Sequence, residues 1–260
     1  MISRYFHHDK MELLSRGAPP YEVVSPSLPG EPVILEIHRE LSLLAPRIET
    51  FQIRLIPGER CRNIFSADAI IEDASLNNRE ALELCTVDNV QRVLAEQIGK
   101  AGTLQMRQPG NVDLISDFGM LGDTVVEVLS MPTPDVAVGV GARWSSSATH
   151  CAGSTHWKMG VDCWLRSMSE SEAEIVFSSC GTNRDVEIED APPPGSMRGV
   201  ITTLVAQGVM HLARIGSVPL RFEYTSEFAL FDVGFSTARR DTLLYTNRHW
   251  GTCSMGSGSF

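Results

Sequence analysis

Lysine is scarce in this chain: Lys10, Lys100 and Lys158 are the only three among 22 basic residues, and the rest are arginines. Against them stand 32 acidic residues, for a formal charge of −10. That balance excludes a surface that is a nucleic-acid footprint throughout, because affinity for phosphate comes from clustered cations. Local basic patches survive the exclusion, and arginine supplies the forked donor geometry that phosphate accepts. Long hydrophobic runs are also missing. No apolar stretch approaches the roughly 20 residues that span a bilayer, and residues 1–17 hold no apolar signal core, so neither a transmembrane helix nor secretion is expected. The six cysteines (Cys61, Cys85, Cys151, Cys163, Cys180 and Cys253) include no Cys-x-x-Cys pair. A zinc ribbon and a dense disulfide frame are thereby excluded, leaving buried thiols in a reducing compartment.

What is present is an ordinary globular composition, 43% hydrophobic and 21% charged, in a chain long enough for one decorated domain. Residues 1–30 are punctuated by Gly17, Pro19, Pro20, Pro26, Pro29 and Gly30, which predicts an irregular N-terminal arm. Residues 31–190 read as a β-rich core with helices. The acidic, triple-proline stretch at 185–195 reads as a strap, and residues 191–260 as that strap followed by a helix, the last strands and a polar tail.

Within this outline, Ile34, Leu35, Ile37, Leu41 and Leu44 recur near helical spacing and predict a helix over 32–44. Alternation of Phe51, Ile53 and Leu55 with Gln52 and Arg54 predicts a strand closed by a turn at Pro57-Gly58, with a second strand over 65–73. The clearest helical stripe runs over 78–99 and stops at Gly99. Strands are expected at 124–131, 135–144, 157–168 and 174–179, a helix at 197–215 behind Ser196, and strands at 219–224 and 228–235. About eight closely spaced strands and three helices, without βαβ alternation, imply an α+β, β-rich fold. The expected core is an antiparallel jelly-roll-like or sandwich arrangement.

The densest cluster of reactive side chains is at 145–157, with His150, Cys151 and His156. Cys151 as nucleophile needs a base within hydrogen-bond reach. His150, its chain neighbour, points to the opposite face of an extended strand, whereas His156 can serve if a tight turn forms at Gly153. No protease signature surrounds Cys151, and nothing in the spacing brings Cys163, Asp162 or His211 to it as a metal set. Neither a cofactor nor a metal is expected. Gly139 and Gly141 form no phosphate cradle, since no lysine-bearing loop follows them. Arginines gather at Arg54, Arg60 and Arg62, and again at Arg239, Arg240 and Arg248, the last group interleaved with Tyr245, His249 and Trp250. Arginine with aromatics suits single-stranded nucleic acid, whose bases stack and whose phosphates pair with guanidinium.

From Thr50 the order is an apolar strand (TFQIRLIP), an arginine-bearing loop (GERCRN) and a strand closing on Ile71-Glu72-Asp73. This order resembles the N-terminal core of the 30K superfamily of plant-virus movement proteins, especially the tombusvirus and umbravirus types, over about 25 residues. Ile71 stands where the family has leucine. The resemblance implies a non-enzymatic protein that binds single-stranded RNA without sequence preference and carries it between cells. It further implies self-association, contact with host membrane or plasmodesmal proteins, and a place in the host cytoplasm and at plasmodesmata. Asp73 then matches the motif aspartate, with a structural role as acceptor of backbone N–H groups in a turn. A capsid or other assembly subunit and a Cys151/His156 hydrolase are the alternative functions, with small-molecule binding in the β core a further reading below them.

Overall fold

The structure is a computed structural model describing residues 3–24, 30–42, 46–61, 64–77, 84–107, 110–115, 118–152, 155–183, 199–213, 219–232 and 242–255. Its strands are β1 (Ser3–Ser15), β2 (Ala18–Glu22), β3 (Val33–Leu41), β4 (Arg47–Cys61), β5 (Ile64–Leu76), β6 (Ala101–Arg107) and β7 (Asn111–Ile115). They continue as β8 (Val138–Val140), β9 (Arg143–Ala152), β10 (Thr155–Met168), β11 (Glu172–Asn183), β12 (Gly199–Ala213), β13 (Pro219–Asp232) and β14 (Thr242–Met255). Two α-helices are described, α1 (Leu84–Ala95) and α2 (Gly122–Leu129).

Twelve of the strands close into one antiparallel barrel in the order β1-β7-β6-β5-β4-β3-β14-β13-β12-β11-β10-β9, while β2 and β8 form a separate two-stranded ribbon. Two meanders, β3 to β7 and β9 to β14, join where β14 pairs with β3, and β1 closes the ring between β7 and β9. Side chains alternate in and out along each wall. On β3, Val33, Leu35 and Ile37 are buried while Glu36, His38 and Glu40 lie outward; on β10, Met159, Val161, Cys163 and Leu165 point in. Outward positions at mid-strand carry charge, including Arg54, Lys158, Asp162 and Glu223, whereas a lipid-facing band would be apolar there. No helix among the described residues is long and apolar enough to cross a membrane.

A ring of twelve strands is wider than its own side chains fill, and the chain itself occupies the lumen. Helix α2 touches β1 and β7 on one wall and β13 on the opposite wall, which places it inside the barrel. Val125, Val126 and Val128 on this helix are buried, and the stretch that follows, from Ser130 to Pro134, is buried as well. The Trp144 indole N–H donates to Pro132 O at 2.9 Å. Gly110, at φ +121°, lets the β6–β7 turn approach this segment, since a Cβ there would lie 2.4 Å from Met131 O.

The expected eight-stranded jelly-roll or sandwich with three helices is thus corrected to a closed barrel of twelve strands. The helices expected at 32–44 and 197–215 are β3 and β12. Both segments carry apolar residues on each face, such as Ile34 beside Leu35 and Val205 beside Leu204, and such a run satisfies helical spacing as well as alternation. Conversely, the strand expected at 124–131 is α2. Its β-branched run favours extended structure locally, but enclosure by the barrel overrides that preference. Residues 3–15, expected in an irregular arm, form β1. The strands expected at 219–224 and 228–235 are one strand, β13, and the polar tail contains β14. The acidic proline-rich stretch at 185–195 lies outside the described residues.

Candidate functional site in the barrel lumen

Inside the barrel a cavity of about 60 Å³ is walled mainly by apolar side chains, among them Phe6, Met131, Met159, Phe177 and Met210. A few polar groups converge on it: Glu127 from α2, Tyr224 and Ser226 from β13, Ser179 from β11 and His8 from β1. Glu127 reaches the cavity because α2 runs through the lumen. Tyr224 and Ser226, two residues apart on one strand, share its inner face.

Glu127 is the centre of this group. Tyr224 Oη donates to Glu127 Oε2 at 3.1 Å, and His150 Nδ1 lies 3.8 Å from Glu127 Oε1. The carboxyl keeps 28% of its side-chain surface accessible and lines the cavity. Desolvation therefore dominates and, with the Asp123 carboxylate one turn back adding to it, pushes Glu127 up to about 7, while the Tyr224 hydrogen bond opposes the shift. Burial raises Asp123 too, opposed by Arg4, whose Nε lies 2.8 Å away. Tyr224 is raised well above its ordinary value by burial and then by Glu127. Its ring stacks on His249 at 4.7 Å and 6°.

Three histidines around this centre are held neutral. Burial lowers His150 to about 4 and His8 to about 4, and burial with Arg39 lowers His249 to about 3. The two bonds of His8 fix its tautomer. Nε2 lies 2.7 Å from Ser130 O, a pure acceptor, so Nε2 carries the proton and Nδ1 accepts from Ser146 Oγ at 2.8 Å. His8 thus ties β1 to the end of α2. His150 differs: among the described residues neither of its ring nitrogens has a hydrogen-bond partner, and neither does Ser226 Oγ. Both residues are almost fully buried, His150 at 2% and Ser226 at 3%. Unmet polar groups in such a place each cost about 1–3 kcal/mol. Ser226, which lines the cavity, marks where a ligand with hydrogen-bonding capacity gains.

The residues expected to carry function lie elsewhere. Arg54 and Arg248 sit on the outside and are engaged, Arg54 Nε with Glu72 at 2.7 Å and Arg248 with Glu223 at 2.6 Å. Trp250 stacks on His38 at 5.2 Å with the Arg248 guanidinium 5.3 Å over its ring. Both Trp250 and His38 line an outer groove of about 990 Å³, together with Trp164, Val176 and Val209. Arg62, Arg239 and Arg240 lie outside the described residues, as does the side chain of Arg60. Ile71 is a fully buried lumenal residue. Asp73 is exposed and does not close its strand: β5 continues to Leu76, and a bulge opposite Gln52 and Ile53 turns both Glu72 and Asp73 outward. The β9–β10 hairpin sets Cys151 directly across from His156, and Tyr5 of β1 flanks Cys151 on the other side. Among the described residues no group of three or more His, Cys, Asp or Glu side chains is arranged to hold a metal ion.

Sequence reasoning missed Glu127, Tyr224 and Ser226. One signal was available, a single carboxylate within the apolar run TVVEVL, where a charge has no evident partner. No protein-family model matches the chain, and neither a curated protein nor a solved structure matches it.

Proposed function

We propose that this protein binds a small, largely apolar molecule in its lumen through Glu127, with the ligand carrying one hydrogen-bonding head group. The observation behind this reading is Glu127 itself, a carboxyl lodged in an apolar cavity and held by Tyr224, beside the unmatched donors and acceptors of His150 and Ser226. A concave apolar site with a few convergent polar groups is the usual form of a small-molecule site. A neutral carboxyl at its centre both donates and accepts, so it pairs with an alcohol, a ketone or a carboxylic acid. Thermal melting against a panel of short aliphatic alcohols, ketones and acids tests the reading, since a ligand that binds only the native state raises the melting temperature. The expected result is a rise with small members of the panel that disappears in Ala206→Leu, which fills the cavity wall. Equal shifts in parent and variant, or none in either, refute it.

A second reading, transport of single-stranded RNA as implied by the resemblance to movement proteins, draws support from the Trp250, His38 and Arg248 stack beside the outer groove. It would place the protein in the host cytoplasm and at plasmodesmata, in contact with itself and with membrane or plasmodesmal proteins. A gel shift with single-stranded RNA across a salt series tests it. Salt-sensitive binding that weakens in Trp250→Ala supports transport, and binding indifferent to that change argues against it.

A further inference from the structure

We propose that Glu127 is a catalytic acid–base group that moves a proton on a small carbonyl compound held in the lumen, with Ser226 Oγ donating to the carbonyl oxygen. The inference rests on the lumenal-ligand reading and adds a reaction to it. Three geometric facts carry it. Glu127 and Ser226 line the same cavity, one on the plug helix and one on β13. Ser226 Oγ has no partner among the described residues, so its proton is uncommitted. Glu127 has an anchor at Oε2, the Tyr224 hydroxyl, and a neutral imidazole, His150, 3.8 Å from Oε1.

The step needs no cofactor. Glu127 as carboxylate takes the proton from the carbon next to the carbonyl. The C–H electron pair becomes the C=C bond of an enolate, and the C=O π pair moves onto oxygen, where Ser226 donates. Glu127 then returns the proton to the same carbon or, in a β,γ-unsaturated ketone, to the γ carbon, which shifts the double bond into conjugation. Nothing is oxidised or reduced. The substrate class is therefore a small, mainly apolar carbonyl compound with an acidic C–H. A carboxyl that titrates close to neutrality is suited to such a step, because base and acid forms are then both populated. The charged and titratable groups facing Glu127 or its cavity are Asp123 from its own helix, His8 from β1, Tyr224 from β13 and His150 from β9; Arg4 stands on Asp123, and His249 stands behind Tyr224.

The test uses the full chain in deuterated buffer with butanone as probe. Proton NMR follows loss of the α-proton signals, and saturation-transfer NMR reports whether the ketone is bound. The expected result is exchange above the buffer rate that rises with pH through neutrality. Glu127→Gln should lose about 100-fold of that enhancement with binding retained, and Ser226→Ala should lose less. Thermal melts confirm that both variants are folded. Bound butanone without catalysed exchange overturns the catalytic inference and leaves the binding reading standing, as does unchanged exchange in Glu127→Gln. Absence of saturation transfer from the parent protein to butanone overturns both.

Discussion

Replacing Glu127 by Gln should stabilise the protein, and the gain should depend on pH. Gln keeps the oxygen that accepts from Tyr224 and the shape of the side chain but cannot ionise. In the parent, the folded carboxyl is raised from 4.5 to about 7. Below 4.5 both folded and unfolded states hold the proton and ionisation contributes nothing. Above it the unfolded chain releases its proton first, so stability falls with rising pH until the folded carboxyl also ionises near 7. The penalty is about 1 kcal/mol at pH 5 and approaches about 3 kcal/mol at pH 8. Glu127→Gln removes it, so the variant should gain about 2 kcal/mol more at pH 8 than at pH 5. For a chain of this size that is a difference of roughly 5 °C in melting temperature. Melts of both proteins at the two pH values measure it, and the histidine contributions, common to both, largely cancel. A gain independent of pH would show that folding leaves the carboxyl's affinity for protons unchanged, and a loss at pH 8 that Glu127 is ionised and paired in the folded state; either refutes the reasoning.

Acid should unfold the protein between about pH 6 and pH 4: His8, His150 and His249 are neutral when buried, so their contribution to stability is complete above 6.5 and is lost as pH falls toward their lowered values, a larger effect than the opposing one of Glu127. Near-ultraviolet circular dichroism follows this loss, and a flat signal from pH 7 to pH 4 refutes it. Trp144→Phe should cost about 1–3 kcal/mol by leaving Pro132 O without its indole donor in the buried plug, read by denaturant titration. Gly110→Ala should destabilise by more than a surface change does, since the added Cβ meets Met131 O at a left-handed φ; a melt within 1 °C of the parent refutes the close approach. Cys151→Ala should leave butanone exchange intact, because Cys151 and His156 lie outside the lumen; selective labelling of Cys151 by a thiol probe, lost in His156→Ala, would instead favour the hydrolase.

The β character of the chain was legible because most walls alternate cleanly. In β4, Phe51, Ile53 and Leu55 are buried between exposed Gln52 and Arg54, as the period of two requires. Strand number and closure were not legible, because they depend on which strands pair across long separations. The pairing of Tyr5 with Cys151, or of Trp250 with His38, has no local signature. Turn signals also misled: Pro57-Gly58 reads as the end of a strand, yet β4 passes through it on an irregularity between Pro57 and Arg60. Proline is tolerated within a sheet at such a bulge.

The site was hidden for a different reason, and it is the same reason that makes α2 informative. A β-branched stretch prefers a strand, and a carboxylate prefers water; α2 contradicts both preferences at once, holding Val125, Val126 and Val128 in a helix and Glu127 inside a barrel. Most wall positions show no such conflict, and the exceptions are the buried histidines of β1, β9 and β14 and the Arg39–Glu49 ion pair. Chains in which local and global demands agree fold well, and the exceptions that persist cluster where a function needs them. An apolar residue at position 127 would fill the cavity beside Tyr224 and leave that hydroxyl without its acceptor, so the glutamate is not explained by Tyr224 alone: a Tyr→Phe change there would meet the packing need without any carboxyl. Glu127 and Tyr224 are therefore best understood as a pair kept for what a carboxyl can do in an apolar space, which is to exchange a proton or a hydrogen bond with something that enters it.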